Sequence, residues 1–274
     1  MTDTVAFLGP AGTFTHQAAA ALRPDATVEP LTSQAAALDA VVSGAAAAAV
    51  VPIDNSVNGV VVPTLDALLE RPGLSIVESA VVPISFDAFP RGAEPPRVVV
   101  SHPHALAQCR EWITAHGLTT REASSTAAAC RDLEPGEVGL GPAICGSLYG
   151  LDRMATAVED HASAWTQFAL VSADRLPGRG AGDEGLLVVL RPDANQPGGL
   201  RRLLTVLEER GINMTNLVTR PVPATPGLFT FLLFCSGSFT AEEFAEMAAA
   251  WAELGAEARA VGRISPLHEL AGLA

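Results

Sequence analysis

The feature that most constrains this chain is a rhythm that runs for about 170 residues and then stops. Short apolar runs alternate with alanine-rich helical stretches: V-A-F-L-G-P, T-F-T-H-Q-A-A-A-A-L, A-A-A-A-A-V-V-P-I, P-T-L-D-A-L-L-E and L-S-I-V-E-S-A-V-V. A strand that hands over to a helix and is followed by another strand packs best as a largely parallel sheet covered by helices. At Arg97 the rhythm restarts with R-V-V-V-S-H-P-H-A-L-A-Q-C-R-E-W-I, a strand, a turn at His102-Pro103 and a helix. Two similar α/β lobes within residues 1–177 are therefore expected. The stretch A-D-R-L-P-G-R-G-A-G-D-E, residues 173–184, carries glycine, proline and charge without apolar period, the composition of a linker.

After the linker the pattern changes. G-L-L-V-V-L-R reads as a strand, P-G-G-L-R-R-L-L-T-V-L-E-E-R-G as a helix closed by Gly211, and I-N-M-T-N-L-V-T-R-P and L-F-T-F-L-L-F-C as strands joined through P-V-P-A-T-P-G. A helix with Phe244, Met247, Ala248 and Trp251 on one face and a short last strand complete βαββαβ, a ferredoxin-like sandwich over 185–274.

Charge and composition exclude several classes. The net charge is −13, with 17 Lys and Arg and no basic stripe, which argues against nucleic acid as a partner. No apolar run approaches the ~20 residues of a membrane helix, and Met1 leads into V-A-F-L-G-P without a basic or export-type segment; a cytoplasmic protein without membrane contact is expected. The four cysteines, Cys109, Cys130, Cys145 and Cys235, have neither C-x-x-C nor Cys/His metal spacing and read as buried free thiols; no metal site is expected. No nucleotide loop is present. His16, His104, His116, His161 and His268 show no partner pattern and receive no role.

Four segments place small hydroxyl residues where a strand gives way to a helix: residues 9–16 with Thr13, 52–59 with Asn55 and Ser56, 101–106 with Ser101 and His102, and 124–129 with Ser124, Ser125 and Thr126. Unpaired N–H groups and a partial positive charge there suit a carboxylate. Each residue alone is an ordinary helix cap or Asx-turn. Together, over two lobes, they describe a cleft for a small polyanion. Asp54, Glu159 and Asp160 would repel such a ligand, so they are expected to hold helix N-termini or cations.

In this order, G-P-x-G-T-F, V-P-I-D-N-S-V-N-G, S-H-P-x-A-L-A-Q-C, S-S-T-A-A-A, Y-G-L, E-D-x(5)-T-x-F, N-x-P-G-G-L and G-I-N-M-T-N resemble the prephenate dehydratase family across residues 5–262. The resemblance implies two lobes like those of periplasmic binding proteins, then an ACT domain that commonly senses phenylalanine. It also implies prephenate, a dianion, as substrate, no cofactor, and a homodimer or homotetramer. Asn195, Pro197, Gly198, Gly199 and Leu200 then mark the turn where relatives bind an amino-acid effector, with Arg220 nearby; a tight strand-to-helix turn explains the glycines as well.

The chain departs from that pattern where N-x-T-R-F becomes Ala164-Trp165-Thr166-Gln167-Phe168, where P-I-E-N-S-x-E-G becomes P-I-D-N-S-V-N-G, where a His-containing stretch becomes P-I-S-F at 83–86, and where E-S-R-P becomes Val218-Thr219-Arg220-Pro221. Val218 for glutamate weakens the case for phenylalanine sensing and leaves dimerisation as the domain's role. The stretch W-T-Q-F is similar to that of non-aromatising prephenate decarboxylases from antibiotic pathways, which protonate the ring and keep its hydroxyl. On this reading Thr166 hydrogen-bonds the C4 hydroxyl or the reacting ring, unless it is a strand-edge residue packing near Trp165; Gln167 binds a carboxylate or points to solvent; and Phe168 shapes the pocket. A dehydratase yielding phenylpyruvate, water and CO2 is the alternative, and a non-catalytic metabolite sensor a second.

Overall fold

The computed structural model describes residues 4–161, 164–173, 185–223, 225–237 and 240–265. The expected linker after Ala173, with the domain boundary at 177, lies outside them. The first lobe comprises β1 (Thr4–Leu8), α1 (Phe14–Leu22), β2 (Thr27–Leu31), α2 (Gln34–Val42), β3 (Ala48–Asn55), β4 (Gly59–Val60), α3 (Val62–Leu69) and β5 (Ser75–Pro83). The second comprises β6 (Asp87–Pro90), β7 (Val98–Ser101), α4 (Pro103–Gln108), α5 (Arg110–Ala115), β8 (Thr119–Glu122), α6 (Thr126–Arg131), β9 (Glu137–Gly141) and α7 (Ile144–Tyr149). The chain then returns as β10 (Trp165–Ser172) and continues with β11 (Gly185–Pro192), α8 (Gly199–Glu208), β12 (Met214–Pro221), β13 (Phe229–Cys235), α9 (Ala241–Glu253) and β14 (Ala256–Ile264).

In the first lobe β1 runs parallel to β2 and β3. β10 lies between β3 and β5, antiparallel to both, because β5 leaves the lobe and β10 comes back to it. The second lobe is a separate sheet ordered β6-β9-β7-β8, with β7 parallel to β8 and β9 and β6 antiparallel. The parallel core expected from the rhythm is present in both lobes, each with antiparallel strands added at the crossings.

The C-terminal strands run β12-β13-β11-β14, the order of a ferredoxin-like sandwich. One face packs on α8 and α9, where Met247 and Trp251 are buried and Trp251 Nε1 donates to the Leu203 carbonyl at 2.9 Å. The other face shares a core with α3: Leu65 and Leu68 pack with Leu187, Val189, Leu232, Phe234 and Val261. β14 pairs with β5 at Gly262 and Ile76, so the C-terminal sheet and the first-lobe sheet form one ten-stranded sheet. A Cβ at Gly262 would lie 2.3 Å from the Ile76 carbonyl oxygen, so this join accepts only glycine. Among the described residues no helix is long and apolar enough to cross a membrane.

Candidate functional site

The two lobes meet at a cleft of about 250 Å³. Its walls are Phe14 of α1, Asn55, Val57 and Asn58 of the loop after β3, Ile84 and Phe86 of the outgoing crossing, His102, His104 and Gln108 of the α4 segment, Thr126 of α6, and Ala164, Trp165 and Thr166 of the return. Phe14 and Phe86 meet edge-on across the lobes, centroids 5.6 Å apart. The crossings are tied together where Ile84 N–H donates to the Ala164 carbonyl at 2.8 Å.

Thr166 reaches the cleft by strand alternation. Along β10, Phe168 and Leu170 join Val5, Phe7 and Val50 in the core under α1, whereas Ala169 and Val171 join the core around α3. Successive strand side chains take opposite faces. The Phe168 row, extended past the core, brings Thr166 to the cleft, and no hydrogen bond engages its side chain among the described residues. The Ala169 row, extended likewise, points Gln167 the other way. Gln167 is 1% exposed, and its Nε2 donates to the Ser265 carbonyl at 2.7 Å and to Ser79 Oγ at 3.4 Å. This corrects the expectation that Gln167 takes a substrate carboxylate: it fastens the end of β14 to the first lobe. Phe168 is core and does not line the cleft.

Of the remaining expected residues, the structure brings Asn55, His102 and Thr126 to the cleft. Asn55 is also the Asx-turn considered from sequence: Oδ1 accepts from Val57 and Asn58 N–H at 3.1 and 2.7 Å, and Nδ2 donates to the Gly59 carbonyl. His102 Nδ1 accepts from His104 N–H, which leaves Nε2 to carry the ring proton. Five others do not line the cavity. Thr13 and Ser125 cap α1 and α6, accepting from His16 and Ala128 N–H. Ser56 is bonded to the Trp165 backbone, its Oγ accepting at 2.9 Å, and so fixes the start of β10. Ser101 is fully buried and donates to the Leu140 carbonyl. Ser124 is exposed beside the α6 cap. Small size and a helix start are shared by caps and ligand contacts, so sequence cannot separate these roles.

The acidic residues behave as structural groups. Asp160 accepts from the first N–H groups of α5, Arg110 and Glu111, and Glu159 accepts from Phe86 N–H. Asp54 is buried, accepts from Asn55 N–H, and has its pKa raised by burial. Cys109, next to Gln108, is pushed up to about 12 by burial and by Glu159 and Asp160, so it is no nucleophile. Phe14, Ile84, Phe86, His104, Gln108 and Ala164 were not singled out as site residues. The S-H-P-H-A-L-A-Q run, with His104 and Gln108 one helical turn apart, was the signal available for two of them.

In chemical terms the cleft offers hydroxyls, amides, two imidazoles and aromatic walls, with neither lysine nor arginine among its lining residues. It can hold a small ring-bearing anion by neutral donors. Among the described residues no group of His, Cys, Asp and Glu is arranged to hold a metal.

A second concavity of about 190 Å³ lies at the turn into α8, where Asn195, Gly198, Gly199 and Leu200 face Phe229 and Phe231. Pro197 is outside this lining, its carbonyl receiving Arg202 Nη1. Arg220 is also elsewhere, which corrects its placement with the turn: it forms a two-bond ion pair with Asp66 of α3, at 2.5 and 2.6 Å. Val218, on the same face, packs against the shared core.

The family model described as prephenate dehydratase matches residues 5–175. A prephenate dehydratase of Mycolicibacterium vanbaalenii is 38% identical over 252 residues, covering 84% of this chain and 80% of the relative. The crystal structure of prephenate dehydratase from Arthrobacter aurescens in complex with L-Phe superposes with a TM-score of 0.84 at 32% identity, over 97% of this chain and 91% of that one. GqqA, presented as a novel type of quorum quenching acylase, superposes with a TM-score of 0.87 at 27% identity, over 97% and 99%. With two lobes, a cleft bearing Thr166, and a family match across most of its length, this chain belongs to the prephenate dehydratase family.

Proposed function

We propose that the protein is a prephenate dehydratase: it converts prephenate to phenylpyruvate, CO2 and water. The observation that carries this reading is the opposite facing of Thr166 and Gln167. The case for a non-aromatising decarboxylase rested on the W-T-Q-F stretch, in which Gln167 stands where dehydratases carry arginine, and Gln167 is turned away from the cleft into the domain seam. The threonine of the motif is at the cleft, and among the described residues no hydrogen bond engages its hydroxyl. Loss of CO2 from the ring sends an electron pair through the diene and expels the C4 hydroxyl as hydroxide, which takes a proton from solvent to become water. Thr166 Oγ1 donates the hydrogen bond that assists this departure, a contribution of ~10² to 10⁴ in rate for a well-placed donor. Phe14, Phe86 and Trp165 enclose the ring and exclude water, while Asn55, Thr126 and the His102 ring supply donors for the carboxylates.

The turn pocket is assigned to an amino-acid effector, supported by the Arthrobacter relative's complex with L-Phe and by the aromatic wall of Phe229 and Phe231. A homodimer or homotetramer is the matching proposal for assembly. The acylase likeness favours no second reading here. Acyl transfer needs a nucleophile hydrogen-bonded to a base, and Thr166 has no such partner among the described residues. Incubating the purified chain with prephenate decides the matter. CO2 with phenylpyruvate supports the dehydratase, CO2 with a non-aromatic hydroxyl-bearing product sinks it in favour of the decarboxylase, and no CO2 leaves a sensor or an acylase.

A further inference from the structure

The seam between α3 and the C-terminal sheet holds another cavity, of about 180 Å³. Leu69 and Pro72 line it from the first lobe, and Val189, Arg191, Glu257 and Arg259 from β11 and β14. Strand register sets Val189 opposite Arg259 and Arg191 opposite Glu257, so the two guanidinium groups are diagonal neighbours on one sheet face. Arg259 Nη2 reaches the Leu68 carbonyl at 3.4 Å, and its Nη1 is buried with no hydrogen-bond partner. Among the described residues neither arginine has a carboxylate within ion-pair distance. Burial, then the nearby charge of Arg191, disfavour the charged form of Arg259, and Glu257 opposes part of this. Two like charges side by side are costly, and an anion bound between them relieves that repulsion.

We propose that this cavity binds a small organic monocarboxylate: its oxygens accept from the guanidinium groups of Arg191 and Arg259, and Leu69, Pro72 and Val189 enclose its apolar body. The walls decide the class. Three apolar residues and a volume near that of an engineered cavity that takes up benzene, about 150 Å³, suit a ring or branched chain more than a hydrated inorganic ion. Glu257 on the same wall repels a second negative charge and so selects a single one. The site is distinct from the interlobe cleft and from the turn into α8, and shares no lining residue with either.

Isothermal titration of the full chain with 3-phenylpropanoate tests this. Arg259→Met is expected to weaken binding at least about tenfold, the loss of one charged hydrogen bond. Arg191→Ala, at an exposed position, is expected to weaken it several-fold. Leu200→Trp, which fills the turn pocket, should leave the affinity unchanged, and inorganic phosphate should not displace the ligand at equal concentration. Should Arg259→Met fail to fold, Arg191→Ala decides alone. The proposal is overturned if the wild type gives no binding heat, if the arginine variants bind as the wild type does, if Leu200→Trp abolishes the site, or if phosphate displaces the ligand equally.

Discussion

The interlobe cleft and the seam between the first lobe and the C-terminal sandwich lie on opposite faces of the same strand, β10, yet they handle charge in contrary ways. The cleft, which receives a doubly charged substrate on the proposed reading, is lined by neutral donors and two histidines. The seam gathers Arg220, Arg259 and Arg191, with Asp66 and Glu257 facing them. A fixed guanidinium beside prephenate would hold the ring carboxylate in its charged ground state, whereas the reaction removes that charge as CO2. Interactions that are stronger in the ground state than in the transition state do not accelerate the chemical step. The seam has the reverse requirement. It must hold two sheets and α3 in one register permanently, and charged bidentate hydrogen bonds add geometric definition to an apolar interface. The difference teaches that the motif arginine of this chain, Arg220, serves assembly through its two bonds to Asp66.

The sharpest way to break this contrast is to compare neighbours on β10. Thr166→Ala is expected to lower kcat by ~10² to 10⁴ with KM changed far less, because the hydrogen bond strengthens only as the hydroxyl leaves. Gln167→Leu removes the donor to the Ser265 carbonyl and should cost roughly 1 to 2 kcal/mol of stability, with kcat, KM and product unaltered. Steady-state kinetics and product analysis on both variants check this. If Gln167→Leu alters the product while its neighbour's loss is uniform in kcat and KM, the two faces have been assigned the wrong way round.

The same pair shows how far the sequence was legible. Fold class, lobe count and the ferredoxin-like order follow from periodicity, because apolar repeats and breakers are local signals. The cleft was located by its four hydroxyl-bearing turns. Assigning Thr166 and Gln167 to a single pocket overlooked the period of two that the W-T-Q-F-A-L-V run itself carries; once Phe168 and Leu170 are one row, Gln167 belongs to the other. Ser101 and Ser56 show a different limit. Their partners, the Leu140 carbonyl and the Trp165 backbone, are distant in sequence, and nothing local marks a hydroxyl as already engaged. The β14–β5 join is invisible for the same reason, resting on Gly262 meeting Ile76 across the molecule. The departures that do reach the cleft are Asn58, Ala164, Ile84 and Phe86, so any change of substrate preference within the family pattern is to be sought there.

The Arg220–Asp66 pair sharpens the seam's side of the comparison. Each group is about a third exposed, 32% and 37%, so screening limits the pair to about 1 kcal/mol even with bidentate geometry. Urea unfolding of Arg220→Ala, Asp66→Ala and the double variant should return a coupling energy of that size, the double variant being little worse than either single one. Additive losses would mean that the two residues act separately and that the ion pair does not hold α3 to β12.

The smallest effect is expected where the two regions touch. Asp54 lies opposite Gln167 in the β3–β10 register, is 5% exposed, and has its pKa raised by burial, with the bond from Asn55 N–H opposing only part of the shift. A carboxyl whose folded-state pKa lies above the unfolded value binds its proton more tightly in the folded chain. Its contribution to stability is therefore most favourable below the unfolded pKa, and declines as pH rises from there through the folded pKa. Asp54→Asn keeps an acceptor for Asn55 N–H and removes the ionisation. Thermal midpoints over a pH series should then show the variant gaining on the wild type through that window and holding a constant lead above it, on the order of 1 kcal/mol or less. A lead that is already present in full at the lowest pH would show that burial does not hold this carboxyl protonated. The proximity of a reluctant carboxylate to Asn55 would then carry no cost for anion binding, and the neutrality of the cleft would depend on its lining residues alone.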